Sequence, residues 1–163
     1  MANVPLLQPG AVLQVVQNSL DIQATTTGSS YIQTGLKCQI APKTITSKFE
    51  VKGTALINSR TNGQGMTAKI MVRNVSTSSA WVDFAMASGC DSHGIGGYTS
   101  TETDHWLSSG FALYGTPGLA YTQGQILEFE VWFRGAGIGT AGSTTSRFGH
   151  PGRTSNMVIT EIY

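Results

Sequence analysis

The sequence predicts an all-β fold: a single-domain antiparallel β-sandwich of jelly-roll type, with about eight or nine strands and no significant helix. Three observations predict it. Apolar residues recur with period two in one short segment after another, and no window sustains a helical period. Charged residues fill only 12% of the 163 positions, while Ser, Thr, Asn, Gln and 20 glycines carry the polarity. That charge share is about half the usual one for a globular domain. Clusters of Gly, Pro, Asn and Ser separate the segments at short intervals. The length suits one domain, divided here into an extended arm over residues 1–10 and a β-sandwich over 11–163.

The arm, M-A-N-V-P-L-L-Q-P-G, holds Pro5 and Pro9 around Val4, Leu6 and Leu7. Prolines this close forbid a helix and remove ladder donors, so the segment is expected to lie extended on its own domain or a neighbour. Ala11–Gln17 reads as the first strand, and Leu20–Ala24 continues it or pairs with it. Tyr31–Thr34 and Leu36–Ile40 are strand pieces broken at Gly35, where a bulge is expected. Lys48–Ile57 alternates Phe49, Val51, Ala55 and Ile57 against Lys48, Glu50, Lys52 and Thr54. Asn62-Gly63 then predicts a tight hairpin, with Met66, Ala68, Ile70 and Val72 on the returning strand.

Ala80–Ala87 and Trp106–Tyr114 are further strands, separated by an irregular stretch from Ser88 to Asp104. Gln125–Gly135, Q-I-L-E-F-E-V-W-F-R-G, is the clearest strand of all. Leu127, Phe129, Val131 and Phe133 share one face, and Glu128, Glu130 and Arg134 the other. Trp132 points with the glutamates, so another chain or loop is expected to cover it. A glycine- and serine-rich excursion over Gly135–Arg153 precedes a closing strand, Asn156–Ile162.

The net charge is +1 and the basic residues are scattered, which argues against a nucleic-acid surface. No run reaches membrane-spanning length, and the N-terminus lacks the basic and apolar regions of a signal peptide. A soluble protein made in a cytoplasm is expected, with no membrane partner. Cys38 and Cys90 are then expected as buried free thiols.

Motifs that could carry chemistry lack their context. Gly137-Ile138-Gly139-Thr140-Ala141-Gly142 spells the dinucleotide fingerprint, but S-T-T-S-R-F-G-H-P-G follows where the phosphate-binding helix must stand. Cys90-Asp91-Ser92-His93 with His105 has zinc-ligand spacing but no second ligand pair. Asp91, His93, Asp104, His105 and His150 lie among many serines without a nucleophile elbow. Glu102 with Asp104 could form a glycosidase pair, and is expected to be solvated instead. The reading is therefore no enzyme, no catalytic residues, no metal and no cofactor. Asn74-Val75-Ser76 is a formal glycosylation sequon that matters only on secretion. Tyr98, Trp106, Tyr114 and Tyr121 sit in or beside glycine-rich turns, where rings stack on sugars or fill a partner's pocket. The other reading for Trp106 and Tyr114 is core packing.

Five segments in order, P-G-A-V-L-Q-V-V-Q, T-G-L-K-C-Q-I-A-P-K, S-K-F-E-V, L-E-F-E-V-W-F-R and M-V-I-T-E-I, form a series. It resembles the β-sandwich domains of tailed bacteriophages, cyanophages and marine phages among them. Such domains occur as capsid cement (decoration) proteins and at the distal tips of tail fibres and tailspikes. The resemblance implies a homotrimer with Trp132 at its interface. It also implies a place on the outer surface of the virion capsid, with the phage major capsid protein as partner. The arm residues Val4, Pro5, Leu6, Leu7 and Pro9 are then expected to contact the capsid or a neighbour. The sandwich pattern starts almost at Met1 without an upstream shaft, so the cement role is expected ahead of the tail tip. A tail tip would instead recognise host surface polysaccharide through the loops of Ser88–Tyr121.

Overall fold

A computed structural model describes residues 8–59, 64–85, 95–99, 106–137 and 145–163. Two antiparallel sheets pack face to face. In the first, β1 (Val12–Leu20) pairs with β11 (Ser155–Ile162), β11 with β4 (Lys48–Ser59), and β4 with β8 (Trp106–Gly115). In the second, β3 (Ile32–Ile40) pairs with β9 (Leu127–Gly137), and β9 with β5 (Gln64–Asn74). The far edge of β5 carries β6 (Val82–Asp83) and β7 (Ile95–Thr99). Two short strands, β2 (Ala24–Thr26) and β10 (Ser146–Phe148), extend the first sheet beside the end of β4. The orders β1-β11-β4-β8 and β3-β9-β5-β7 are those of an eight-stranded jelly roll. The described residues therefore hold eleven strands rather than eight or nine, because three short ones decorate the frame. They contain no α-helix, only a 3-10 turn at Val75–Thr77.

The core lies between the sheets. Phe49, Val51, Ala55 and Ile57 of β4 face Ala68, Ile70 and Val72 of β5 and Leu127, Phe129, Val131 and Phe133 of β9, all of them buried. Phe129 is at its centre, with ring centroids 5.5 Å from Phe49 and 5.1 Å from Phe84. Phe133 meets Phe148 at 5.8 Å. Each of these side chains contributes about 2–3 kcal/mol of transfer free energy when taken out of water. The period-two pattern identified this face because every second residue of a strand points the same way.

Several expectations need correction. Asn62-Gly63 lies outside the described residues, but the strands flanking it do not form a hairpin. β4 and β5 sit in opposite sheets, each pairing elsewhere. Their apolar faces look at each other across the core, so the chain crosses between layers there. In the described part of the strand expected over Ala80–Ala87, only Val82–Asp83 pairs as strand, and Ala85 takes a left-handed φ of 51°; residues 86 and 87 lie outside the described residues. Phe84 is buried there all the same, its N–H bonded to Ile70 O at 3.0 Å. The irregular stretch of Ser88–Asp104 contains β7, and the glycine-rich excursion contains β10. The bulge at Gly35 is present: Gly35 has φ of 82° and the β3–β9 register shifts between Gln33 and Lys37.

Candidate interaction surfaces

The outward face of β9 is closed off from water around its two glutamates. Glu128 is 1% exposed and Glu130 3%, so both are roofed over by side chains from neighbouring strands. Arg73 of β5 donates to Glu128 Oε1 through Nη2 at 2.6 Å and Nε at 2.9 Å. Gln39 Nε2 donates to Oε2 at 2.6 Å, and Lys37 Nζ lies 3.8 Å away. Burial pushes the Glu128 carboxyl up, but the hydrogen bonds from Gln39 and Arg73 and the charges of Lys37 and Arg73 prevail, and its pKa is lowered. Glu130 is served less well. Its one well-formed hydrogen bond comes from the Gly35 N–H, at 3.0 Å to Oε1. Burial raises its pKa, and the neighbouring Glu128 charge adds to the rise. Gly35, Lys37 and Trp132 offset part of it.

Trp132 is half-buried in the same face. Trp81, from the chain segment before β6, covers it edge-on with ring centroids 5.7 Å apart. The indole N–H of Trp132 is buried and sits beside Glu130 without reaching good hydrogen-bond geometry. Arg73 stacks over Trp81 at 4.6 Å. Tyr31 receives Lys69 at 4.6 Å and Arg134 at 4.8 Å, and Lys69 also pairs with Asp83 at 2.7 Å. Two tryptophans, a tyrosine, four cations and three carboxylates thus interlock across β3, β9, β5 and β6. A loop of the same chain supplies the cover. Sequence reasoning missed Trp81, Tyr31, Lys69 and Arg73. The signal was there in Lys69, Met71 and Arg73, which alternate on the polar side of β5, but their cross-strand partners depend on register.

The other aromatic candidates do not come together. Tyr121 is half-buried at one end of the sandwich, its OH donating to Thr44 O at 3.3 Å. Burial and the nearby Glu161 charge push its phenol up. Tyr114 is 55% exposed on the outer face of β4–β8, with Lys48 Nζ 5.6 Å from the ring centre. Trp106 stands at the opposite end of β8, edge-on to His150 at 4.6 Å. Eight residues of strand, roughly 26 Å, separate Trp106 from Tyr114, so they form no shared platform. The side chain of Tyr98 lies outside the described residues, as do Cys90, Asp91, His93, Glu102, Asp104 and His105. Val4, Pro5, Leu6 and Leu7 lie outside too, whereas Pro9 is exposed.

No protein-family model matches the chain, and no curated protein does. Solved structures do. A structure of infectious bursal disease virus, Gx strain, superposes with a TM-score of 0.52 over 93% of the chain, at 12% identity. The 2.6 Å structure of T=1 particles derived from infectious bursal virus superposes with a TM-score of 0.50 over 99%, at 13% identity. The chain shares its fold with a virus-particle protein. It spans only about a third to two-fifths of the length of those chains, 33% and 39%. At this identity the likeness concerns the fold alone.

One buried acid holds the frame together rather than reaching outward. Glu161 of β11 is fully buried, and its carboxylate accepts from Gln14 Nε2 at 2.5 Å, the Lys43 N–H at 2.7 Å and Ser47 Oγ at 2.5 Å. It thereby pins the β3–β4 connection and β1 to the end of β11 through charge-assisted bonds to a buried carboxylate. Cys38 is a free, buried thiol, and burial pushes its pKa up. Such a thiol is inert.

Proposed function

We propose that the chain is a structural virion protein: a homotrimeric cement (decoration) protein on the outer surface of a phage head, bound to the major capsid protein. The observation that carries this reading is the jelly-roll strand order, together with a fold likeness over 93% of the chain to a protein of virus particles. Its mechanism is binding without turnover. Each protomer is a rigid two-layer body, and the contacts it makes are multiplied when three copies engage a lattice together. The half-buried Trp132, beside its Trp81 cover, adds apolar area to a subunit interface, and the arm adds contacts with the shell or a neighbour. Synthesis in the host cytoplasm suits the buried free thiol of Cys38. The test is reconstitution: purified protein is mixed with heads lacking it, sedimented and quantified. The reading predicts saturable occupancy and heads that survive higher temperature. Absence from heads, with adsorption to host cells, contradicts it.

A second reading, a receptor-binding tip on host surface glycan, draws on Tyr114, whose ring is open to solvent beside Lys48. Tyr98, Trp106 and Tyr121 would belong to the same surface in that reading. Host polysaccharide that protects these aromatics from chemical modification, together with lost adsorption on Tyr114→Ala, would favour the tip.

A further inference from the structure

The outer face of the first sheet carries a shallow trough across its four long strands. Two rows of side chains define it. Ser19 of β1, Asn156 of β11, Thr54 of β4 and Gly110 of β8 stand opposite one another in register. Gln17, Val158, Lys52 and Ala112 form the row beside it. Both rows point outward, because Met157 and Phe111, which alternate with them, are buried in the core. Two adjoining depressions, of about 630 and 430 Å³, share Asn156 and Val158 and extend from β8 to β1. Three strand spacings make the trough about 14 Å long.

Gly110 stands in the middle of β8, where glycine weakens a strand by leaving nothing to pack. The fold does not require it. The β8–β4 ladder keeps one register along its whole length, so no bulge interrupts it. Gly110 is not among the glycines of positive φ, and a Cβ on it would meet nothing nearer than Gly53 O at 4.0 Å. Of the usual reasons for a strand glycine, the close approach of a ligand or another chain remains. The lining decides between them. Its hydrogen-bonding side chains are amides and hydroxyls, and its one charge, Lys52 Nζ, is matched by Glu50 at 2.9 Å. The trough therefore offers no net charge to a polyanion, and the apolar anchors a protein partner needs reduce to Val158 and Ala112. Asn156 Oδ1 accepts from the Thr54 N–H and Oγ1, at 3.2 and 3.3 Å, while its Nδ2 has no partner among the described residues. The exposed Tyr114 ring stands two positions beyond Ala112 on the same face. We propose that the trough binds a short neutral oligosaccharide, its hydroxyls on Gln17, Ser19, Thr54 and Asn156 and one ring against Tyr114.

The inference rests on the glycan reading above for its ligand class and gives that reading a site. Its test presents the full chain to an array of neutral and acidic oligosaccharides, then measures affinity for the best-bound neutral one by titration calorimetry. Gly110→Leu fills the trough from a position with room for a side chain, and Ala112→Leu fills it from the next row. Each is expected to weaken binding about 30-fold or more by clash, with the melting transition retained. Gln17→Ala, at the far end, is expected to weaken it about 3–10-fold through a lost hydrogen bond. Binding of acidic chains only, binding of none, or affinity that survives both blocking variants overturns the proposal. Altered sedimentation or head binding in those variants, with no glycan bound by the parent, overturns it in favour of a protein partner. Host adsorption lost with Tyr114→Ala but kept with both blocking variants overturns the trough and leaves the receptor reading standing.

Discussion

Glu130 is 3% exposed and holds one good hydrogen bond, from the Gly35 N–H, so its ionised form costs stability. Because its folded pKa is raised above the ordinary carboxylate value, the folded state gains relative stability as pH falls toward that value and loses it as pH rises through the folded pKa. Glu130→Gln should therefore raise the melting temperature by about 2–4 °C at pH 7–8, what ~1 kcal/mol is worth in a domain of this size. The gain should shrink near pH 5. Glu128 has the opposite sign. Its lowered pKa gives a contribution present above the ordinary carboxylate range and lost as pH falls through the folded value. Replacing Arg73 by Met should cost on the order of 2 kcal/mol in denaturant unfolding. That is less than a fully buried pair would lose, because Arg73 is 35% exposed. The sequence placed both glutamates on the right face of the right strand. It could not show them roofed over, since Tyr31, Trp81, Lys69 and Arg73 come from about 50 to 100 residues away.

At the scale of elements, two glycines test the sheet geometry differently. A Cβ on Gly53 would lie 2.0 Å from Asn156 O and 2.8 Å from the Phe111 ring. Gly53→Ala thus forces β4 and β11 apart and should cost about 3 kcal/mol or more by calorimetry. A Cβ on Gly35 meets nothing nearer than Leu20 Cδ1 at 3.8 Å, but its φ is 82°. Gly35→Ala should cost only the left-handed conformation, about 1–2 kcal/mol. A Gly35 variant as damaging as the Gly53 one would show that the bulge does more than turn the chain. Long strands were legible because β4, β5 and β9 each set an apolar or small residue at every second position over seven residues or more. β10 and β6 were not, because three or two residues carry no period. The hairpin expected at Asn62-Gly63 went wrong because a turn signal says that the chain bends. It does not say whether the next strand pairs alongside or crosses to the facing sheet.

For the whole molecule, the strand order arises from which apolar faces must meet, and the jelly roll is the arrangement that buries β4, β5, β9 and β11 together. The buried thiol of Cys38 and the Glu161 cluster sit within this frame without depending on oxidation. A reducing agent is accordingly expected to leave the melting temperature unchanged, and a fall of several degrees would reveal a disulfide. Trp132→Ala should weaken self-association by ~3 kcal/mol per site if the indole anchors a subunit interface. An unchanged sedimentation profile would limit Trp132 to packing under Trp81. The most direct test is a cryo-electron reconstruction of virions carrying this protein. The account predicts jelly-roll density in threefold groups on the outside of the head. Density at the tail tip, or heads without it, would contradict the account.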